Sequence, residues 1–291
     1  MTVSVIIPSH DHGRFLGQAI RSARDQRPAP DEIVVVDDGS TDHTQEVLAG
    51  LAGPDLLVLR QQRMGPAAAR NRAIRASRGE WLAFLDADSY WLPGKLEALL
   101  GAIRAAPAEV ALAYSGYLVV DEKGRTIASH RAPPRPYTAH DLRWGNPLST
   151  TSILVRKASV VEAGLFDESL PGLGEDWDMW LQLLSRHRVA CVEEPFAARR
   201  ASRFDAKYRI HDLEVAIEHV LARHRAPRRS VSWHRTLLAK NYALRRRPWH
   251  AARCTARAVR SHPIALWYLV PHRLTRAAPR ERKAEPPGFW T

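Results

Sequence analysis

The run Trp81-Leu82-Ala83-Phe84-Leu85 ends directly on Asp86-Ala87-Asp88. An unbroken apolar run of this length reads as a strand buried on both faces, which is how strands of a parallel sheet look. Two similar runs precede it. Val3-Ser4-Val5-Ile6-Ile7 stops at Pro8, and Glu32-Ile33-Val34-Val35-Val36 leads into Asp37-Asp38-Gly39-Ser40-Thr41-Asp42. Between them, residues Arg14 to Gln26 carry Phe15, Ala19, Ile20 and Ala23 at the spacing of one helix face. Ser40 or Thr41 is placed to cap a second helix running to about Leu51. A further strand is predicted over Leu56–Leu59, and Gly65-Pro66 opens a helix through Ala76. Strands alternating with helices mean βαβ units and a mostly parallel, Rossmann-like α/β sheet flanked by helices.

Open sheets of that kind bind ligands beyond the C-terminal ends of their strands. Pro8-Ser9-His10, Asp38 and Asp86-Ala87-Asp88 all fall at such ends. Carboxylates one residue apart are suited to a hard divalent cation, Mg²⁺ or Mn²⁺, which in turn holds phosphate oxygens. Asp38 offers an acceptor to a base edge, and His10 a ring to lie beside it. Arg70, on the helix after Gly65, is positioned to reach a base or a phosphate. Asp176 falls at a predicted helix start, with Met179, Trp180, Leu183 and Leu184 as the apolar stripe behind it. A carboxylate there is favoured by the helix dipole, so Asp176 reads as a cap or as a general base.

Other readings of the same residues stay open at this level. Asp37-Asp38-Gly39-Ser40 is also turn chemistry. Arg70 lies among Arg72, Arg75 and Arg78, which together make a solvated face. His10 is also an ordinary loop histidine, and Trp177 is a core residue as readily as a platform for an acceptor sugar.

Five blocks in order now resemble one family. These are Val5-Ile6-Ile7-Pro8-Ser9-His10, Val35 to Asp42, Ala69-Arg70-Asn71, Phe84 to Asp88, and the late pair Gly164-Leu165-Phe166-Asp167-Glu168 with Gly174 to Trp180. The chain is similar in them to the inverting family 2 glycosyltransferases, over roughly residues 3–200. The resemblance implies a GT-A fold and a nucleotide-sugar donor, most simply a UDP-sugar. It implies a role for Asp38 at the uracil edge, with Pro8, Ser9, His10, Arg70 and Ala87 around the nucleotide. Asp86 would contact ribose or metal, and Asp88 would be the direct metal ligand. Asp176 would be the base, with Glu175 and Trp177 near the acceptor. A glycan or lipid-linked acceptor in cell-surface polysaccharide biosynthesis follows from the same resemblance. There are departures. Relatives often have Tyr where His10 stands. A Tyr-Arg-x-His stretch expected soon after the last strand is replaced by Ala197-Ala198-Arg199-Arg200, and Tyr208-Arg209-Ile210-His211 comes later.

Charge divides the chain. Residues 1–200 hold 23 Lys+Arg against 25 Asp+Glu, and residues 201–291 hold 20 against 6, within a net charge of +12. The basic part reads as helices, with stripes at Leu213, Ala216, Ile217, Val220 and Leu221, then at Trp233, Leu237, Leu238 and Tyr242, and a third from Ala251 to Val259. Ile264–Val270 is apolar between basic residues. Basic helices bearing Trp and Leu suit an anionic membrane face, and a plain helical hairpin is the alternative. The expected organisation is a catalytic domain over 1–203, a basic helical extension over 204–276 and a disordered end over 277–291. The two cysteines form no metal or redox motif, and with no leader and no spanning run the expectation is a cytoplasmic protein, peripheral at the inner membrane face.

Rival functions are weaker. A phosphatase with an Asp-x-Asp nucleophile also places two aspartates after an apolar strand, but does not account for the Asp37–Asp42 block. Nucleic-acid binding has only the basic charge behind it, without a reading motif. A sugar nucleotidyltransferase would show a Gly-rich loop where Pro8-Ser9-His10-Asp11-His12-Gly13 stands. A processive synthase would carry a Gln-x-x-Arg-Trp signature and spanning helices.

Overall fold

The computed structural model describes residues 1–170, 172–201, 210–244 and 247–262. It divides into two compact units, Met1–Thr138 with Leu148–Phe204, and Ala139–Pro147 with Asp205–Thr291. The short segment 139–147 thus groups with the C-terminal part, where the sequence pattern assigned it to the catalytic domain. The sequence boundary at 203/204 and the tail from 277 lie outside the described residues, as does the apolar run 264–270.

The first unit is built on β1 (Val3–Ser9), β2 (Glu32–Asp38), β3 (Leu56–Gln61) and β4 (Trp81–Phe84), all mutually parallel. Helices α1 (Gly13–Arg24), α2 (Thr44–Gly50) and α3 (Pro66–Ala76) connect them. The sheet order is β3-β2-β1-β4-β8-β6-β9-β5. Here β5 is Tyr90–Trp91, β6 is Val110–Val120, β8 is Ile153–Arg156 and β9 is Arg188–Arg200. Strand β8 runs antiparallel to both β4 and β6, while β9 runs parallel to β6. Strand β7 (Thr126–His130) pairs with β6 beyond β8. The sheet is therefore mixed and mostly parallel at its N-terminal half.

The strands alternate their burial between two helical layers. Val5, Ile7, Ile33, Val35, Ala83 and Leu85 share one core with Leu16, Ile20 and Ala23 of α1 and Leu96 and Leu99 of α4 (Lys95–Ala105). Phe84 faces the other way and meets Phe166 and Trp180, with ring centroids 5.5 and 5.8 Å away. Trp180 belongs to α7 (Glu175–Arg186), which follows α5 (Ala139–Leu142) and α6 (Lys157–Glu162). Asn71 ties this layer together: its Nδ2 donates to the Phe166 carbonyl and its Oδ1 accepts from the Phe166 amide, at 2.8 and 2.9 Å. Two of the sequence blocks that carried the resemblance are thus hydrogen-bonded to each other.

Two local expectations change. Helix α2 begins at Thr44, and Asp42 bonds its amide at 3.0 Å, while the Ser40 hydroxyl accepts from Asp11 N. The N-cap position is His43, whose side chain makes no capping bond, so neither Ser40 nor Thr41 caps the helix and the carboxylate of Asp42 just before it serves the first helical amide. Residues Ala197–Arg200 are still strand, paired with Tyr117–Val120 of β6, so they do not occupy the place of the post-strand Tyr-Arg-x-His segment. The later stretch falls partly outside the described residues, and its His211 lies in helix α8 (Ile210–Arg223).

Lys95 is fully buried, with its Nζ 4.0 Å from the Trp91 ring centroid and without a hydrogen-bond partner among the described residues. Burial pushes its ammonium down to about 7. A lysine that releases its proton on folding weakens the fold below the folded pKa and regains that stability toward the unfolded pKa. Lys95→Met is expected to raise stability by about 1–3 kcal/mol at pH 6, the aromatic contact offsetting part of the burial cost, with the gain vanishing near pH 10. Denaturant melts at the two pH values check it, and a loss of stability at pH 6 refutes it.

In the second unit, α8, α9 (Arg228–Leu244) and α10 (Pro248–Ser261) surround two acidic residues. Buried Glu214 accepts from Tyr242 Oη at 2.7 Å, Arg253 at 2.9 Å and Arg257 at 3.1 Å. Glu218 accepts from Arg235 at 2.8 Å. Part of the basic charge is therefore spent inside the unit. No helix of the described residues is long and apolar enough to cross a membrane.

Candidate active site

The strand order places β2 on one side of β1 and β4 on the other, so the chain crosses over β1 when α3 delivers it to β4. Strand ends on either side of such a reversal open a crevice. On the β2 side, His10 is held by both ring nitrogens. Its Nδ1 donates to the Asp38 carbonyl at 2.9 Å, and its Nε2 lies 3.3 Å from the Asp11 carboxylate. The Asp38 carboxylate accepts from Gln61 Nε2, Met64 N and Gly65 N, each at 2.8 Å. These fix the loop before α3 against the end of β2. A carboxylate has about four acceptor directions, so one remains for a ligand. Asp37 has structural partners: it accepts from Ser40 N at 2.9 Å and from Gln45, and it pairs with Arg60 at 3.5 Å. The turn it closes needs Gly39, whose φ is +74° and whose added Cβ would meet Arg63 N at 2.9 Å. Pro8 pairs with Val36 in the ladder. Ser9 is buried, and its hydroxyl has no partner among the described residues.

On the β4 side the site is a chain of charges. Arg70 is 6% exposed, and its guanidinium bridges two carboxylates, Glu175 Oε1 at 2.7 Å and Asp86 Oδ1 at 3.1 Å. The Phe166 ring lies beneath it, its centroid 5.5 Å away. The two carboxylates hold the guanidinium firmly charged against the cost of burial. Arg70 is thus a buried link rather than part of a solvated arginine face. Breaking such a buried pair costs about 3–5 kcal/mol because it strands a charge. Asp86 Oδ2 accepts from Thr151 Oγ1 at 3.0 Å, and Asp176 Oδ2 accepts from Thr150 Oγ1 at 3.1 Å. Asp176 also accepts from the Trp177 amide at 2.7 Å. Burial and then the neighbouring Glu175 push its carboxyl up to about 6, against the pull of Arg70. A carboxylate poised there accepts a proton near neutral pH.

Asp88 is held by the Ser89 hydroxyl at 3.0 Å. Burial first, and then the charge of Asp86, push its carboxyl above the usual range. A carboxyl raised by burial and by a neighbouring carboxylate marks a site short of positive charge. Among the described residues no group of three or more His, Cys, Asp or Glu side chains is arranged to enclose a metal ion. Mg²⁺ characteristically takes one or two carboxylates and completes its shell with water and substrate phosphates. The pair therefore fits a cation held jointly with a diphosphate, with Asp88 as the freer ligand because Asp86 is already engaged by Arg70 and Thr151.

Ala87 is in the core, 2% exposed, so only its backbone is left to face a ligand. Trp177 is 6% exposed, so its ring does not stand open as a platform for a sugar. Glu175 is buried as well, its Oε2 without a partner among the described residues. The hydroxyl pair Thr150 and Thr151 was missed from sequence. The run Ser149-Thr150-Thr151-Ser152 was its signal, but it lies in a stretch that reads as loop.

The profile of glycosyl transferase family 2 matches residues 4–167. An uncharacterized glycosyltransferase of Rickettsia typhi is 31% identical over 201 residues, covering 65% of this chain and 60% of the relative. This chain thus spans about three-fifths of that relative's length. WfaP of Escherichia coli, a UDP-Glc:alpha-D-GlcNAc-diphosphoundecaprenol beta-1,3-glucosyltransferase, is 28% identical over 212 residues, covering 72% of this chain and 77% of the relative. The structure of S. aureus TarS residues 1–349 with UDP-GlcNAc aligns with a TM-score of 0.61 at 17% identity, over 88% of this chain and 91% of that one. The likeness to TarS gives the fold as GT-A. With the family profile covering more than half its length, from the first strand to the loop that Asn71 anchors, this chain belongs to glycosyl transferase family 2.

Proposed function

We propose that this chain transfers a single sugar, with inversion, from a UDP-sugar to a hydroxyl of a glycan or lipid-linked acceptor in cell-surface polysaccharide biosynthesis. The observation that carries the reading is one carboxylate poised as a base, Asp176, joined through Glu175 and Arg70 to the Asp86 end of β4. Asp38, His10 and Ser9 receive the nucleotide beyond β1 and β2. Asp88 and Asp86 would hold Mg²⁺ or Mn²⁺ with the diphosphate, and such a cation would supply charge stabilisation to the departing phosphate. Asp176 takes the proton from the acceptor hydroxyl as its oxygen bonds to the anomeric carbon. The bond from that carbon to the diphosphate oxygen breaks, and its electron pair leaves with UDP. In this reading Asp176 acts only as a base, so the displacement is single and inverts the centre. WfaP and TarS support the donor class by what they act on or hold.

The test is a panel of nucleotide sugars with Mn²⁺, scored by release of nucleotide diphosphate. UDP-sugars are expected to be hydrolysed slowly, and a folded protein that turns over none of the panel overturns the reading. A peripheral contact of the basic extension with an anionic membrane belongs to the same proposal. It requires salt-sensitive co-sedimentation with phosphatidylserine vesicles, and binding that ignores salt or vesicle charge counts against it.

A further inference from the structure

Ser149–Ser152 is a short hydroxyl-lined turn whose middle two side chains point at different carboxylates. The turn is closed on itself: Ser152 N and Ser152 Oγ both donate to the Ser149 carbonyl, at 2.8 and 2.7 Å. It is anchored from behind by Trp91, whose indole N–H donates to the Thr151 carbonyl at 3.0 Å. Trp91 itself is clamped in the core, its amide on the Ser22 hydroxyl at 3.0 Å. From this rigid base, Thr150 Oγ1 reaches Asp176 Oδ2 at 3.1 Å and Thr151 Oγ1 reaches Asp86 Oδ2 at 3.0 Å. The Asp86 amide donates back to Thr151 Oγ1 at 3.4 Å, so the second hydroxyl holds both ends of that residue.

We propose that Thr150 and Thr151 are paired positioning residues, Thr150 aiming and ionising the base and Thr151 fixing the donor-side carboxylate, so that one turn sets the distance between the two halves of the reaction. The proposal rests on the reading of Asp176 and Asp86 given above. Each hydroxyl does one job. Thr150 donates to the ionised form of Asp176 and favours it, alongside the Trp177 amide. Among the described residues, the charged groups that act most strongly on Asp176 are Glu175 on its own helix and Arg70 on α3, and Thr150 is a neutral side-chain donor to it. Thr151 contributes no charge. It takes the Asp86 oxygen that Arg70 leaves open, and so orients the carboxylate toward the crevice.

The experiment is a titration of the aspartate side-chain carboxyls by ¹³C NMR, with the Asp176 signal assigned from Asp176→Asn, run beside calorimetry of UDP binding in Mn²⁺. A hydrogen bond to a charged group is worth about one pKa unit. Thr150→Val is therefore expected to move the Asp176 midpoint up by about one unit and leave UDP affinity within about twofold, and Thr150→Ser to restore the midpoint. Thr151→Val is expected to weaken Mn²⁺-dependent UDP binding by about tenfold while the Asp176 midpoint stays put. An unmoved midpoint in Thr150→Val overturns the proposal, as does a Thr151→Val protein that binds UDP normally. Neither readout requires turnover. A failed donor panel with these shifts intact would therefore fault the assigned reaction and not the turn.

Discussion

Asp88→Ala is expected to abolish Mn²⁺-dependent turnover and to remove the dependence of UDP affinity on metal, so that EDTA makes no further difference to the variant. The loss of one electrostatic stabiliser of a leaving group costs about 10²–10³ in kcat, and the role proposed for Asp88, that of a direct metal ligand, puts its loss at the upper end. The environment of Asp88 gives this expectation a second, opposite-signed readout. Its carboxyl is raised above its ordinary value by burial and by Asp86. A carboxyl raised in the folded state costs stability wherever it is ionised. That cost is absent below the unfolded pKa and complete above the folded one. Without metal at pH 8, Asp88→Ala is thus expected to melt at or above the wild-type temperature. With Mn²⁺ and UDP present, wild type is expected to gain stability by mass action and the variant not to. A carboxylate with a merely structural role gives the reverse, a variant that melts lower in both conditions. Full activity of Asp88→Ala at saturating donor rules out its role as ligand.

What the sequence made legible was decided by how local the physics is. The strands over 3–7, 32–36 and 81–85 are buried on both faces, so their apolar runs announce them. The carboxylates at their ends follow, because a strand end is a position that can be counted. Strand β6 and its pairing with β9 were not announced, since their partners lie far apart in sequence and β9 mixes Arg188, Glu193, Glu194 and Arg199 into its length. Side-chain partners were less legible still. Arg70 looked like one of a row of arginines, and only the fold shows that it alone is buried between Glu175 and Asp86. Asp38 read as free for a base edge, yet three of its acceptor directions serve the loop at 61–65. Trp177 illustrates the limit from the other side. An aromatic next to a candidate base suggests a sugar platform, but position at a helix start does not say how exposed the ring is, and here the residue is buried.

Asp176→Asn is expected to reduce kcat by about 10²–10⁴-fold, the usual contribution of a positioned base, with UDP affinity unchanged. The amide keeps the size of the carboxylate and one acceptor oxygen for the Trp177 N–H or the Thr150 hydroxyl, but it cannot take the proton. The pH dependence sharpens the expectation. With the carboxyl pushed up to about 6, the acceptor-dependent rate of the wild type should climb through pH 6 and level off above pH 7, because only the ionised form is a base. Asn does not titrate, so the residual rate of the variant should lose that limb. If Asp176 were only a helix cap the pattern would invert: kcat and its pH limb would survive, and the change would appear as lost stability of about 1 kcal/mol or less. Stability also has a sign here. A carboxyl raised in the folded state destabilises above its folded pKa, so Asp176→Asn is expected to be slightly more stable than wild type at pH 8 and not at pH 4. Steady-state rates from pH 5 to 9, calorimetric UDP affinity and melts at the two pH values separate the alternatives. Turnover near the wild-type rate would move the base to Glu175 or Asp178. Both are poorer candidates by position, since Glu175 is buried with its Oε1 on Arg70 at 2.7 Å and Asp178 accepts from Gln182 within its own helix at 2.9 Å.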